Sequence, residues 1–145
     1  MLTGYSMSGD RTPHWCAEPY QWDVGELAVS WRAPFPFHPN AIIARRLLVL
    51  QCGGWPAIPT NEDLALCLSM SERAQGFSTN LVVGRYRVWE SQEVNLSSYT
   101  VDKATSFVLI ERLVNALRGE LGRRPVQAPL PGPAFGTFRM QADDS

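Results

Sequence analysis

Between Asp102 and Gly122 the chain reads DKATSFVLIERLVNALRGELG, and no other stretch limits the fold as much. Phe107, Ile110, Val114, Leu117 and Leu121 recur at i, i+3, i+7, i+10 and i+14, with Leu109, Leu113 and Ala116 beside them. This spacing predicts one long helix from Lys103 to Leu121 with a broad apolar face. Asp102 suits the N-cap and Gly122 the stop, while Arg118, Arg123 and Arg124 complement the negative end of the helix dipole. Ser106, Glu111, Asn115, Arg118 and Glu120 fall on the opposite face. So wide an apolar face needs cover, either from its own domain or from a second copy in a homodimer.

Two shorter helical patterns precede it. Asn40 caps AIIARRLLVLQC, in which Ile43, Leu47 and Leu50 form an apolar line widened by Ile42 and Val49, and Gly53-Gly54 ends it. Thr60 then opens TNEDLALCLSMSERAQGFSTNL, with Asp63 in the first turn and Leu64, Ala65, Cys67 and Leu68 on one side. Ser69-Met70-Ser71 is expected to interrupt this helix. Ser71 would cap another over 71–80, with Ala74, Phe77 and Leu81 at i, i+3 and i+7. Next comes LVVGRYRVW, a β-branched and aromatic run, and after a turn at Glu90–Glu93 the residues 94–101 are expected to return as a second strand.

Helix, helix, turn, helix and a two-stranded ribbon follow one another over residues 41–99, and this order resembles a winged helix-turn-helix DNA-binding domain. The resemblance implies an α+β fold, mostly helical, with residues 41–52 as supporting helix and a wing over 84–99. It implies that the 71–80 helix enters the major groove, with Ser71, Glu72, Arg73, Gln75, Ser78 and Thr79 as base readers or phosphate contacts. Arg85 and Arg87 on the wing would touch backbone phosphates. The 60–81 stretch also fits a plain helical hairpin that only contributes to a core. Winged modules, moreover, also serve as protein docks.

The remaining segments frame this unit. Residues 1–24 are polar and aromatic without clear periodicity. Glu26 to Arg32 reads as a strand, since Leu27, Val29 and Trp31 alternate with Ala28 and Ser30. Pro34, Pro36 and Pro39 make the following stretch an extended connector. A single compact domain is therefore expected over 1–124: a 1–39 segment, a 40–99 core and a 102–122 helix. Pro125, Pro129, Pro131 and Pro133 then mark 125–145 as a flexible or extended tail. Trp31, Ile43, Leu47, Leu50, Leu64, Phe77, Leu81, Ile110, Val114 and Leu117 are the expected core.

Composition narrows the function classes. With 145 residues, 45% of them hydrophobic and 19% charged, the chain matches an ordinary globular domain. No apolar run reaches the length of a membrane span, and the first residues lack a secretory pattern. Cys16, Cys52 and Cys67 are odd in number and widely spaced, which fits reduced thiols and a cytoplasmic location. His14 and Cys16 have no second cluster to complete a metal site, and no phosphate-binding glycine loop appears. Glu62 and Asp63, adjacent in a helix, point apart and cannot converge as acid and base. No catalytic residue, metal or cofactor is expected.

A net charge of −1 excludes a surface that grips nucleic acid everywhere. Twelve of the thirteen basic residues are arginine, whose planar fork suits phosphate and guanine. Two functions follow. The first is a small non-catalytic protein that reads duplex DNA, a transcriptional regulator or an accessory factor of replication or mobile elements. The second is an adaptor or inhibitor that binds a partner protein or nucleoprotein complex, for which five tryptophans supply candidate anchors.

Overall fold

Leu64, Ala65, Leu66, Cys67, Leu68 and Met70 put apolar atoms around the whole circumference of a helix, and such a helix has to lie at the centre of its domain. The computed structural model describes residues 2–3, 6–7, 19–31, 41–79, 85–86 and 97–129. In it that central helix is α3 (Glu62–Ser71), and every residue from Leu64 to Ser71 is buried. Ser69-Met70-Ser71 does not interrupt it. The Ser71 hydroxyl donates to the Leu68 carbonyl at 2.7 Å, so it is satisfied inside the helix and needs no break.

Around α3 the order is β1 (Leu2–Thr3), β2 (Ser6–Met7), β3 (Tyr20–Trp22), α1 (Glu26–Val29), β4 (Ile42–Ile43) and α2 (Arg46–Gln51). After α3 come β5 (Gly76–Ser78), β6 (Arg85–Tyr86) and α4 (Ser97–Glu120). One sheet has the order β3-β5-β1-β4, with β1 and β5 parallel and the other pairs antiparallel. A second sheet pairs β2 with β6 in parallel. The fold is α+β with a long C-terminal helix. Among the described residues no helix is long and apolar enough to cross a membrane.

The core lies where α1, α3 and α4 meet. Leu27, Ala28 and Trp31 from the α1 region pack with the apolar residues of α3 and with Phe107, Ile110 and Val114 of α4. Trp31 meets Phe107 edge-on, with ring centroids 5.5 Å apart. Lys103 is buried too, its ammonium 5.6 Å from the Phe107 ring centroid, and burial holds its pKa below the ordinary lysine value. The backbone N–H of Thr60 donates to Ser106 Oγ at 3.0 Å. Thr60 thus ties α3 to α4, and Asn61 takes the N-cap position.

Several expected elements change form. The strand expected over 26–32 is the short helix α1. Its buried residues Leu27 and Ala28, with Trp31 just beyond it, have spacing i, i+1 and i+4, which a helical turn satisfies and an alternating strand does not. The helix expected over 41–52 starts only at Arg46, because the β-branched pair Ile42-Ile43 is taken up as β4 against β1. Where a helix is expected over 71–80, Ser71 ends α3, residues 72–75 turn and Gly76–Ser78 form β5; Phe77 is exposed, and Asn80 and Leu81 lie outside the described residues. Residues 97–101, expected to be strand, form the first turns of α4, so Asp102 lies within the helix and caps nothing. Ser106 and Arg118, assigned to a solvent face, are buried. Ile43, Leu47 and Leu50 are exposed, and α2 buries no residue. Trp31, Leu64, Ile110 and Val114 are buried as expected, with Leu117 partly so.

This distribution makes a direct prediction. Leu68 is 0% exposed and Leu47 is 72% exposed, although both are helical leucines in the same sequence region. Leu68→Ala should cost about 2–5 kcal/mol in chemical denaturation. Leu47→Ala should stay within about 0.5 kcal/mol of the parent. Equal losses at both positions would contradict the packing.

Candidate functional site

One acidic residue carries the electrostatics of the interior. Glu72 directly follows α3, and its side chain is 0% exposed. A carboxylate can be buried only if charge and hydrogen bonds replace water. Arg118 Nη1 pairs with Glu72 Oε1, and Arg123 Nη1 pairs with Oε2 at 2.5 Å. Arg123 Nη1 also donates to the Glu72 carbonyl at 2.7 Å. A negative side chain at a helix C-terminus is unfavourable by itself, and the guanidinium on that carbonyl offsets it.

Two glycines permit this arrangement. Gly25, with φ +81°, lies against the ion pair: a Cβ there would come within 3.1 Å of Glu72 Oε2 and 3.2 Å of Arg123 Nη1. Its N–H donates to the Ser71 carbonyl at 2.7 Å, which binds α1 to the end of α3. At Gly122, φ +66° closes α4. The Arg123 N–H then reaches the Arg118 carbonyl, and the Gly122 N–H reaches that of Gly119. That reversal places Arg123 beside Glu72. It also sends residues 123–129 back along α4.

The returning strip is held by side chains of α4. The Val126 N–H donates to Asn115 Oδ1 at 2.7 Å, and Asn115 Nδ2 donates to the Val126 carbonyl at 2.8 Å. The Ala128 N–H donates to Glu111 Oε2 at 2.6 Å. Val126 and Ala128 pack on the core. The expected tail is therefore docked over its first residues, and 130–145 lie outside the described residues. Beside the strip opens a cleft of about 480 Å³ lined by Val29, Arg118, Arg123, Arg124, Pro125, Val126 and Gln127.

The residues expected to read DNA do not share one helix. Ser71 is the buried last residue of α3, and Glu72 is the buried ion-pair centre. Ser78 is buried in β5, where its Oγ accepts the Trp22 indole N–H at 2.5 Å. Arg73 and Gln75 are exposed in the intervening turn. Arg73 lies beside Cys52, and Gln75 Nε2 donates to Asp23 Oδ1 at 3.2 Å. Thr79 is half-buried just after β5. Arg85 belongs to β6, paired with Ser6 of β2, and Arg87 lies outside the described residues. Among the described residues no group of three His, Cys, Asp or Glu side chains could hold a metal ion. Burial raises the Cys67 thiol far above its ordinary pKa and also raises that of Cys52, against a lowering by Arg73.

A second surface stands out on α4. Its inner face supplies Phe107, Ile110 and Val114 to the core. Its outer face leaves Val101 68% and Val108 51% exposed, with Leu109 and Leu113 exposed beside them. The periodicity of the sequence pointed to the inner face. The breadth of the apolar pattern calls for cover from the domain or from a second copy, and the fold leaves Leu109 and Leu113 exposed.

The ion-pair centre yields a quantitative expectation. Glu72→Gln keeps the shape but leaves Arg118 buried without its counter-charge, and should cost about 3–5 kcal/mol. The double variant Glu72→Leu with Arg118→Leu should recover part of that loss, because Arg118 no longer lies buried without a partner and Arg123, whose side chain is 30% exposed, can turn to water. Denaturant midpoints of the single and double variants check this. Additive losses would show that the pair is not coupled.

Comparison with protein-family models, curated proteins and solved structures finds no match for this chain.

Proposed function

We propose that this chain is a non-catalytic protein-binding module, an adaptor or inhibitor, that meets its partner through the outer face of α4. One observation carries the reading: Val101, Val108, Leu109 and Leu113 lie uncovered on one side of a helix whose other side is already in the core. Val101 and Val108 share one stripe of the helix at i and i+7, and Leu109 and Leu113 share a neighbouring stripe at i and i+4, with exposed Thr105 and Arg112 between the two on the outward half of α4. A helix that is apolar on both sides is normally covered on both. Large apolar side chains gathered exposed on one half of a helix are what an interaction site presents. A second copy of the chain, paired through α4, is one partner of the right chemistry.

Duplex DNA is the alternative partner. A winged arrangement would have to work through Arg85 and Arg87, since residues 72–78 are turn and strand and not a reading helix.

The experiment compares two surfaces. A photo-crosslinking amino acid at Val108 should give a discrete protein adduct in the cells that make the chain, or a covalent homodimer in the purified protein. The same group at exposed Glu62 should not. Leu109→Asp should abolish the adduct and leave the thermal midpoint within a few degrees. Retention on random duplex DNA that falls steeply with salt, and is lost in Arg85→Glu, would instead favour DNA. Absence of any adduct at Val108 would overturn the protein-binding proposal.

A further inference from the structure

We propose that the cleft between α1 and the strip returning along α4 binds a monoanionic organic acid, a carboxylate with an apolar body. The cleft is wide open to solvent, and its volume of about 480 Å³ is in the size range of about 300–1,000 Å³ that small-molecule sites occupy. Its charge is one-sided. Arg118, Arg123 and Arg124 line it and no acidic residue does. Glu72, the one carboxylate in ion pairs among the described residues, is buried and already divided between Arg118 and Arg123. Arg124 makes no ion pair among the described residues, so its charge is free to meet a ligand.

Arg118 adds a second, independent observation. Its side chain is only 6% exposed. Nε donates to the Arg124 carbonyl at 2.5 Å, and Nη1 serves Glu72 and the Gly25 carbonyl. Nη2, with its two N–H donors, makes no hydrogen bond within the described residues. Buried N–H donors in native proteins nearly always have a partner. A guanidinium with donors to spare, in the wall of a basic cleft, is matched by an acceptor with two oxygens.

The other walls select the body of the ligand. Val29 is 65% exposed toward solvent, and Pro125 and Val126 complete an apolar side. Such walls disfavour a strongly hydrated dianion, and so do the carbonyls at the C-terminal end of α4. A single negative charge on an alkyl or aryl group fits all three features. The site is separate from the outer face of α4, so the two proposals fail independently.

Octanoate, octan-1-ol, acetate and inorganic phosphate are the probes, titrated into the full chain by calorimetry and followed by NMR of the arginine Nε–Hε signals. Octanoate should saturate one site, shift the Arg118 and Arg124 signals, and bind more tightly than acetate or phosphate. Arg124→Ala, which leaves the Glu72 ion pairs intact, should raise the octanoate Kd about tenfold. Val29→Asp, at an exposed position, should abolish binding with no change in thermal midpoint. Equal affinity for octan-1-ol would reduce the site to an apolar patch. Tighter binding of phosphate would overturn the carboxylate assignment, and octanoate binding untouched by both variants, or no saturable binding, would overturn the site.

Discussion

A single buried carboxylate ties the helical part of this molecule together. Glu72 lies at the end of α3, pairs with Arg118 inside α4 and with Arg123 just beyond it, and presses against Gly25 at the start of α1. Three chain segments far apart in sequence thus meet at one charge. Replacing such a cluster with apolar residues is often close to neutral for stability, so its contribution is better sought in geometry. An ion pair around a wholly buried carboxylate tolerates few arrangements, whereas leucines slide. The cluster fixes the height of α4 against α3 and the direction in which the chain leaves α4.

That exit direction creates the surface around the cleft. Because Gly122 reverses the chain, Arg123 can reach Glu72, and the strip with Val126 and Ala128 follows back along α4. Asn115 and Glu111 then serve the strip as a neighbouring strand would, supplying acceptors and a donor to its backbone. The strip satisfies its polar groups on one flank of α4. It leaves Val101, Val108, Leu109 and Leu113 on another. The same helix therefore closes the core, holds the returning chain and still offers an apolar surface outward.

The sequence made some of this legible. Phe107, Ile110 and Val114 announce a long helix and its inner face, and all three are buried. Gly122 marks its end, and the helix closes there. Less could be read where one local pattern suits two structures. Leu27, Val29 and Trp31 satisfy a strand by alternation, while Leu27, Ala28 and Trp31 satisfy a helix by spacing, and only contact with α3 selects the second. Ile42 and Ile43 look like one side of a helix until a distant strand offers them hydrogen bonds. The apparent second helix after Ser71 had the same weakness, since Gly76 and Phe77 also suit a strand and pair with β3.

The candidate site was the least legible part, because charge does not declare its partner. Arg118, Arg123 and Arg124 read locally as cations that complement a helix end, and Glu72 reads as an exposed residue in a first turn. Their spacing in sequence, 46 residues between Glu72 and Arg118, holds no hint of contact. Local chemistry alone determined that a long amphipathic helix forms, that it stops at a glycine, and that the chain is globular enough to have a core. Tertiary packing alone decided that Glu72 is buried, that Arg118 and Arg123 divide it between them, and that Val101, Val108, Leu109 and Leu113 of α4 are exposed. The physical reason is range. Helix propensity and capping act within a turn or two, whereas the cost of burying a charge is settled only by whatever the fold brings next to it.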